Sequence, residues 1–211
     1  MRWHAKEPFN SYSHGLGVVL SLIALVALVT KASNPRQVLG FAIFGASLVL
    51  LYSASTIYHW MHLSQRGEDI LKRFDHVAIF LLIAGSYTPI CLITLRDSWG
   101  WSLFGIVWSL ALAGVVVKIC FAHIPAWASA VLYVGLGWIA VLAIGPLAHA
   151  IPPRGLMWLF GGGLAYTAGA VIYALERPNP YPQVFGHHEI FHIFVLAGSV
   201  LHFVFMAGYV A

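Results

Sequence analysis

Apolar residues run along this chain in seven long stretches, at 13–30, 38–58, 76–95, 100–119, 127–148, 155–175 and 188–210. Most reach the roughly 20 residues that a helix needs to cross about 30 Å of hydrocarbon. Within a bilayer core a spanning segment must satisfy its own backbone groups, so runs of this length predict helices. Asn34-Pro35, Pro125, Pro152-Pro153 and the alternate prolines Pro178, Pro180 and Pro182 fall where runs end, as residues that stop helices should. Pro89 lies inside the third run and predicts a kink. Gly161, Gly162, Gly163, Ala165 and Gly169 give the sixth run a small-residue stripe, suited to close helix packing. With no internal repeat or low-complexity segment, residues 1–211 read as a single domain, an all-α integral membrane bundle of seven transmembrane helices.

Composition agrees. Hydrophobic residues make up 60% of the chain and charged ones 9%, against about 25% charged in soluble domains. The net charge of +4 therefore points to topology and lipid head groups, not to nucleic acid. If the N-terminus is cytoplasmic, the inner side carries Arg2, Lys6, Arg66, Lys72, Arg73, Lys118 and Arg177, and the outer side Lys31, Arg36, Arg96 and Arg154. That imbalance predicts a cytoplasmic N-terminus, an external C-terminus and a cell (plasma or inner) membrane location. Arg2 and Lys6 precede an apolar run, but no cleavage site follows near residues 30–33, so the first helix is read as retained. Cys91 and Cys120 read as small buried hydrophobes. Trp3, Trp60, Trp99, Trp101, Trp127 and Tyr181 read as interfacial anchors.

Polar residues within these runs then stand out, because an ionisable group in a membrane is costly and marks function. His188 and His192 are four residues apart, on one helical face. Ser55 and His59 repeat that spacing at the end of the second run, and Asp75 and His76 open the third. In any seven-helix threading these three helix ends share one side of the membrane. His59, His188 and His192 offer three imidazole nitrogens. Three protein ligands and a water is the arrangement of a catalytic zinc site, and Zn2+ lowers the pKa of its water to about 7. Asp75 is placed to act as general base and acid, with helix capping as its alternative. Ser55 is placed to hydrogen-bond the zinc-bound water or an oxyanion.

Ser55-x-x-x-His59, Asp75 and His188-x-x-x-His192 over seven helices resemble the hemolysin III family. That family is grouped with the progestin and adipoQ receptors, including the adiponectin receptors, and with alkaline ceramidases. The opening Glu7-x-x-Asn10-x-x-Ser13-His14 is also similar to the start of hemolysin III proteins. The resemblance implies that His59, His188 and His192 hold zinc. It implies that Asp75 and Ser55 lie beside the zinc-bound water, and that the N-terminus is cytoplasmic. The short termini differ from the receptor branch and favour a compact bacterial type.

Other polar residues have plainer readings. Glu7, Asn10 and His14 share a face if the first helix starts early, with Pro8 in its first turn, and would either support the site or cap and bond helices. His62 and His76 are reserve ligands, His187 is interfacial, His202 bonds a neighbouring helix, and Glu189 faces another helix or the interface. The leading functional expectation is a zinc-dependent intramembrane hydrolase of a lipid amide or ester, ceramide-like by resemblance, acting through zinc-bound hydroxide near the cytoplasmic side. The alternative is a non-enzymatic, zinc-stabilised receptor or sensor of membrane state. Cytolysis ranks third, since a pore should carry polar residues along several helices, whereas here they gather at one end.

Overall fold

The computed structural model describes residues 5–121, 124–182 and 184–210; Arg2 and Trp3 lie outside them. Seven helices are long and apolar enough to cross a membrane. They are α1 (Pro8–Lys31), α2 (Pro35–Trp60), α3 (Gln65–Thr94), α4 (Ser98–Cys120), α5 (Ala126–Ala150), α6 (Pro153–Leu175) and α7 (His187–Val210). Among the described residues there is no strand, and the fold is all-α.

Six of the predicted runs lie inside their helices, the third passes the end of its helix by one residue, Leu95, and the helices continue into polar sequence. Pro8, Pro35 and Pro153 stand in the first turns of α1, α2 and α6, where a missing N–H costs nothing. Asn34 caps α2 by accepting from the Gln37 N–H at 3.0 Å. The largest extension is in α3, which begins at Gln65, about three turns before the apolar run. Asp75 therefore lies well inside a helix, and the capping alternative for it does not apply.

Where Pro89 predicts a kink, the helix passes into a widened π turn over Ile90–Thr94, and proline offers no N–H to continue the ladder. A second irregularity lies in α5, which tightens to a 3-10 turn over Trp138–Ala143. There the Tyr87 hydroxyl donates to the Gly137 carbonyl at 2.5 Å and accepts from the Ala140 N–H at 2.8 Å. A side chain inserted into a helix ladder bends it.

Each helix packs on the next in sequence, and α7 returns to α1. The third helix is the interior one, with 72% of its apolar window buried against 28% for α1. The core is largely apolar, but α1 turns its polar face inward. On α1, Asn10, Ser11, His14, Gly17 and Ser21 face inward, while Leu16, Val19, Leu20, Ile23 and Val26 are exposed. Trp60, Trp99, Trp101 and Trp127 are exposed near helix ends, and Tyr181 is exposed in the loop before α7, as interfacial anchors should be. Within the predicted small-residue stripe of α6, the tightly packed glycines are Gly162 and Gly169. A Cβ at Gly169 would lie 2.9 Å from Phe194, and one at Gly162 would run into the His202 ring, whereas Gly161 and Gly163 have room. His202 was expected to bond a neighbouring helix. It instead bonds the Gly198 carbonyl of its own helix at 2.9 Å, and packs against Tyr166.

Candidate metal centre

The end of α2 and the start of α7 meet, and their histidines meet with them. His188 Nε2 lies 3.4 Å from His59 Nε2 and 3.2 Å from His192 Nε2. One ligand atom from each ring falls within 4.8 Å of the others, so the group could hold a metal ion. His59 and His192 are each 1% exposed. Three of the sequence-selected residues are thus brought together from segments about 130 positions apart.

The main chain before α1 explains why α2 ends where it does. The Lys6 and Glu7 N–H groups donate to the Trp60 and His59 carbonyls at 3.3 and 3.0 Å, satisfying acceptors that a helix end leaves open. This lays the Glu7 side chain against His59, with Oε2 2.7 Å from Nδ1. The hydrogen bond from His59, outweighing partial burial, holds the Glu7 carboxyl down to about 2. An ionised carboxylate only accepts, so the proton of a neutral His59 ring sits on Nδ1 and Nε2 presents a lone pair. His188 Nε2 then faces two nitrogens with at most one proton of its own. A hydrogen bond accounts for one of those contacts; a shared cation accounts for both.

Ser55 lies one turn before His59 on α2 and is 1% exposed. Ser55, Asp75 of α3, His188 and His192 all line one internal cavity of about 140 Å³. From Asp75 the cavity follows α3 past Ile79, Leu82 and Ile83 to Tyr87, about 18 Å at 1.5 Å per residue. Its walls are mainly apolar, and most of its titratable groups stand at the α2–α7 end.

The family described as Haemolysin-III related matches residues 1–203. The chain belongs to that family. It is 39% identical to Hemolysin-3 of Bacillus cereus over 97% of this chain and 92% of that protein. It is 40% identical to the Hemolysin-3 homolog of Bacillus subtilis (strain 168), over 94% of this chain and 91% of that one. A more distant relative is the Adiponectin receptor protein of Drosophila melanogaster, 23% identical over 93% of this chain and 49% of the receptor. This haemolysin-III relative is accordingly a multi-pass protein of a lipid bilayer.

The remaining polar residues sort themselves around the centre. His76 lines the cavity but is not one of the three converging rings. His187 turns to the α6–α7 loop, where its Nδ1 meets Asn179 Oδ1 at 2.8 Å. His14 stacks on His192, ring centres 3.7 Å apart and 18° from parallel. Both His14 ring nitrogens are buried without a hydrogen-bond partner among the described residues. Sequence reasoning left His14, Asn10 and Glu7 between a supporting and a capping role. The early start of α1 at Pro8, readable from the proline, was the signal that put them on the inward face.

Proposed function

We propose that this protein is a zinc-dependent intramembrane hydrolase, cleaving an amide or ester of a ceramide-like lipid. The observation that carries the reading is the convergence of His59, His188 and His192, two of which, His188 and His192, line the polar end of an apolar cavity together with Asp75 and Ser55. Zinc is favoured because three imidazoles are a donor set it commonly takes; four-coordinate bonds of 2.0–2.1 Å place ligand nitrogens about 3.3 Å apart, close to two of the separations here, 3.2 and 3.4 Å, with all three atoms within 4.8 Å. Bound zinc would supply a Lewis acid that brings the pKa of a water toward about 7.

The chain's own residues do the rest. The apolar walls seat an acyl chain and exclude bulk water. Asp75 takes a proton from the attacking water and returns it to the leaving amine or alcohol. The C–N or C–O bond breaks, and the acyl carbon keeps the oxygen of the water. Ser55, on the same cavity wall, donates its one hydroxyl proton to the carbonyl oxygen as negative charge builds there. In this reading one membrane domain carries the site, with the N-terminus and the site on the cytoplasmic side of the cell membrane.

The test is metal analysis combined with lipid mass spectrometry on purified wild type, His192→Ala and Asp75→Asn. Wild type should hold one zinc and release fatty acid, His192→Ala should lose both, and Asp75→Asn should keep the metal and lose turnover. Wild type without stoichiometric metal would defeat the proposal. A second reading, a zinc-stabilised receptor, draws on the relative named an adiponectin receptor and on the way the histidines join α2 to α7. It expects Asp75→Asn to leave signalling intact while metal removal abolishes it.

A further inference from the structure

A network of carboxylates and one amide lies behind the three histidines, and the hydrolysis scheme does not use it. Asn10, 1% exposed, donates from Nδ2 to Glu7 Oε2 at 3.0 Å and to Glu189 Oε1 at 2.9 Å. The orientation of the amide is fixed, since its oxygen could not face two carboxylates. Glu7 Oε2 also accepts from His59 Nδ1 at 2.7 Å. Glu189 Oε2 accepts from the Gly186 N–H at 2.8 Å, which caps the turn of α7 that carries His188. One hydrogen-bonded path thus runs from the His59 ring through Glu7, Asn10 and Glu189 to the first turn of α7. The groups it joins are 179 positions apart in the chain.

We propose that Glu7, Asn10 and Glu189 are the positioning residues of a divalent-cation site, fixing the His59 ring and supplying its counter-charge. The proposal rests on the metal-binding reading above. Three neutral imidazoles bring no charge to a dication, and a site at the edge of hydrocarbon screens charge poorly. Glu7 and Glu189 provide two negative charges, and Asn10 keeps these two carboxylates on a common donor instead of repelling each other directly. A carboxylate on Nδ1–H also makes Nε2 a stronger donor and locks the ring, and loss of such a partner lowers metal affinity about 10–100-fold.

Full-length protein purified in detergent provides the test, with Zn2+ and Co2+ affinities measured by chelator competition. Glu7→Gln and Asn10→Ala should each weaken both metals about 10–100-fold, and Glu189→Gln should weaken them in the same direction. In the cobalt-loaded protein Glu7→Gln should also shift the visible d–d bands, because the donor strength of His59 changes. A merely structural role would lower the melting temperature of the metal-free variant and leave the bands in place. Wild type that binds metal while Glu7→Gln binds within twofold of it overturns this inference and spares the hydrolase reading. Wild type that binds no metal overturns both. If Glu7→Gln does not fold, Glu7→Asp and Glu189→Gln decide in its place, and unchanged affinity in both is fatal.

Discussion

At the scale of single residues, burial separates the roles. His192 is 1% exposed, and its Nε2 is 3.2 Å from that of His188. His192→Ala removes one of three nitrogens and should abolish stoichiometric metal, as read by elemental analysis. Asp75→Asn keeps the size of the side chain and removes its basicity. It should lower lipid turnover about 10²–10⁴-fold, the usual weight of a general acid–base group, with metal content unchanged. Glu7 gives a pH prediction. Its carboxyl falls from an ordinary value of 4.5 to about 2 through the hydrogen bond with His59. A depressed carboxyl stabilises the fold above its unfolded value and loses that contribution as pH falls. Melting of metal-free protein should therefore drop more steeply from about pH 4.5 to 2 in wild type than in Glu7→Gln. Parallel curves would show that the Glu7–His59 bond adds nothing to the fold.

At the scale of elements, hydropathy located the membrane-crossing parts of all seven helices but not their polar ends. Gln65 to Asp75 is helical yet largely polar, so a pattern that reads depth in a membrane stops at His76 although the helix does not. The irregularity at Pro89 was legible because proline carries its own backbone constraint. The 3-10 turn in α5 was not, since it depends on Tyr87, a residue of another helix about 50 positions away. The same divide runs through the site. Ser55 with His59, and His188 with His192, are pairs within one turn, and helical spacing displays them. Glu7 against His59 and His14 against His192 are contacts between helices, and periodicity does not say which face meets which. Packing of α6 on α7 gives an element-scale prediction. A methyl at Gly162 meets the His202 ring and would press on the backbone near Gly198. Gly162→Ala should cost about 1–3 kcal/mol, typical of overpacking, measured by thermal melting. Gly161→Ala, with room around its Cβ, should cost much less.

At the scale of the whole molecule, α1 to α6 are each held to the next helix by a connecting loop, whereas α7 must be fastened to α1 and α2 by contacts alone. Beside the Asn10–Glu189 hydrogen bond, three further fastenings stand out among the described residues. Tyr52 of α2 donates to Ser199 of α7 at 2.7 Å, with Tyr166 of α6 on the same hydroxyl at 2.8 Å. Lys31 at the end of α1 donates to the Ala207 carbonyl, in the π turn that ends α7. The third is the histidine cluster, and it alone can be strengthened by an added ligand. A ligand that binds only the folded state stabilises by RT ln(1 + [L]/Kd), about 2.7 kcal/mol at one hundred times Kd. Chelation of the purified protein should therefore lower its melting temperature, and restoring Zn2+ should return it. His59→Ala should melt where the chelated protein does and should not respond to added zinc. Tyr52→Phe, which breaks a fastening elsewhere on the α2–α7 contact, should melt lower yet keep the full zinc response. Loss of that response in Tyr52→Phe would mean that the cluster forms only when the rest of the α2–α7 contact is intact, so that metal binding reports the closing of the bundle and not the histidines alone.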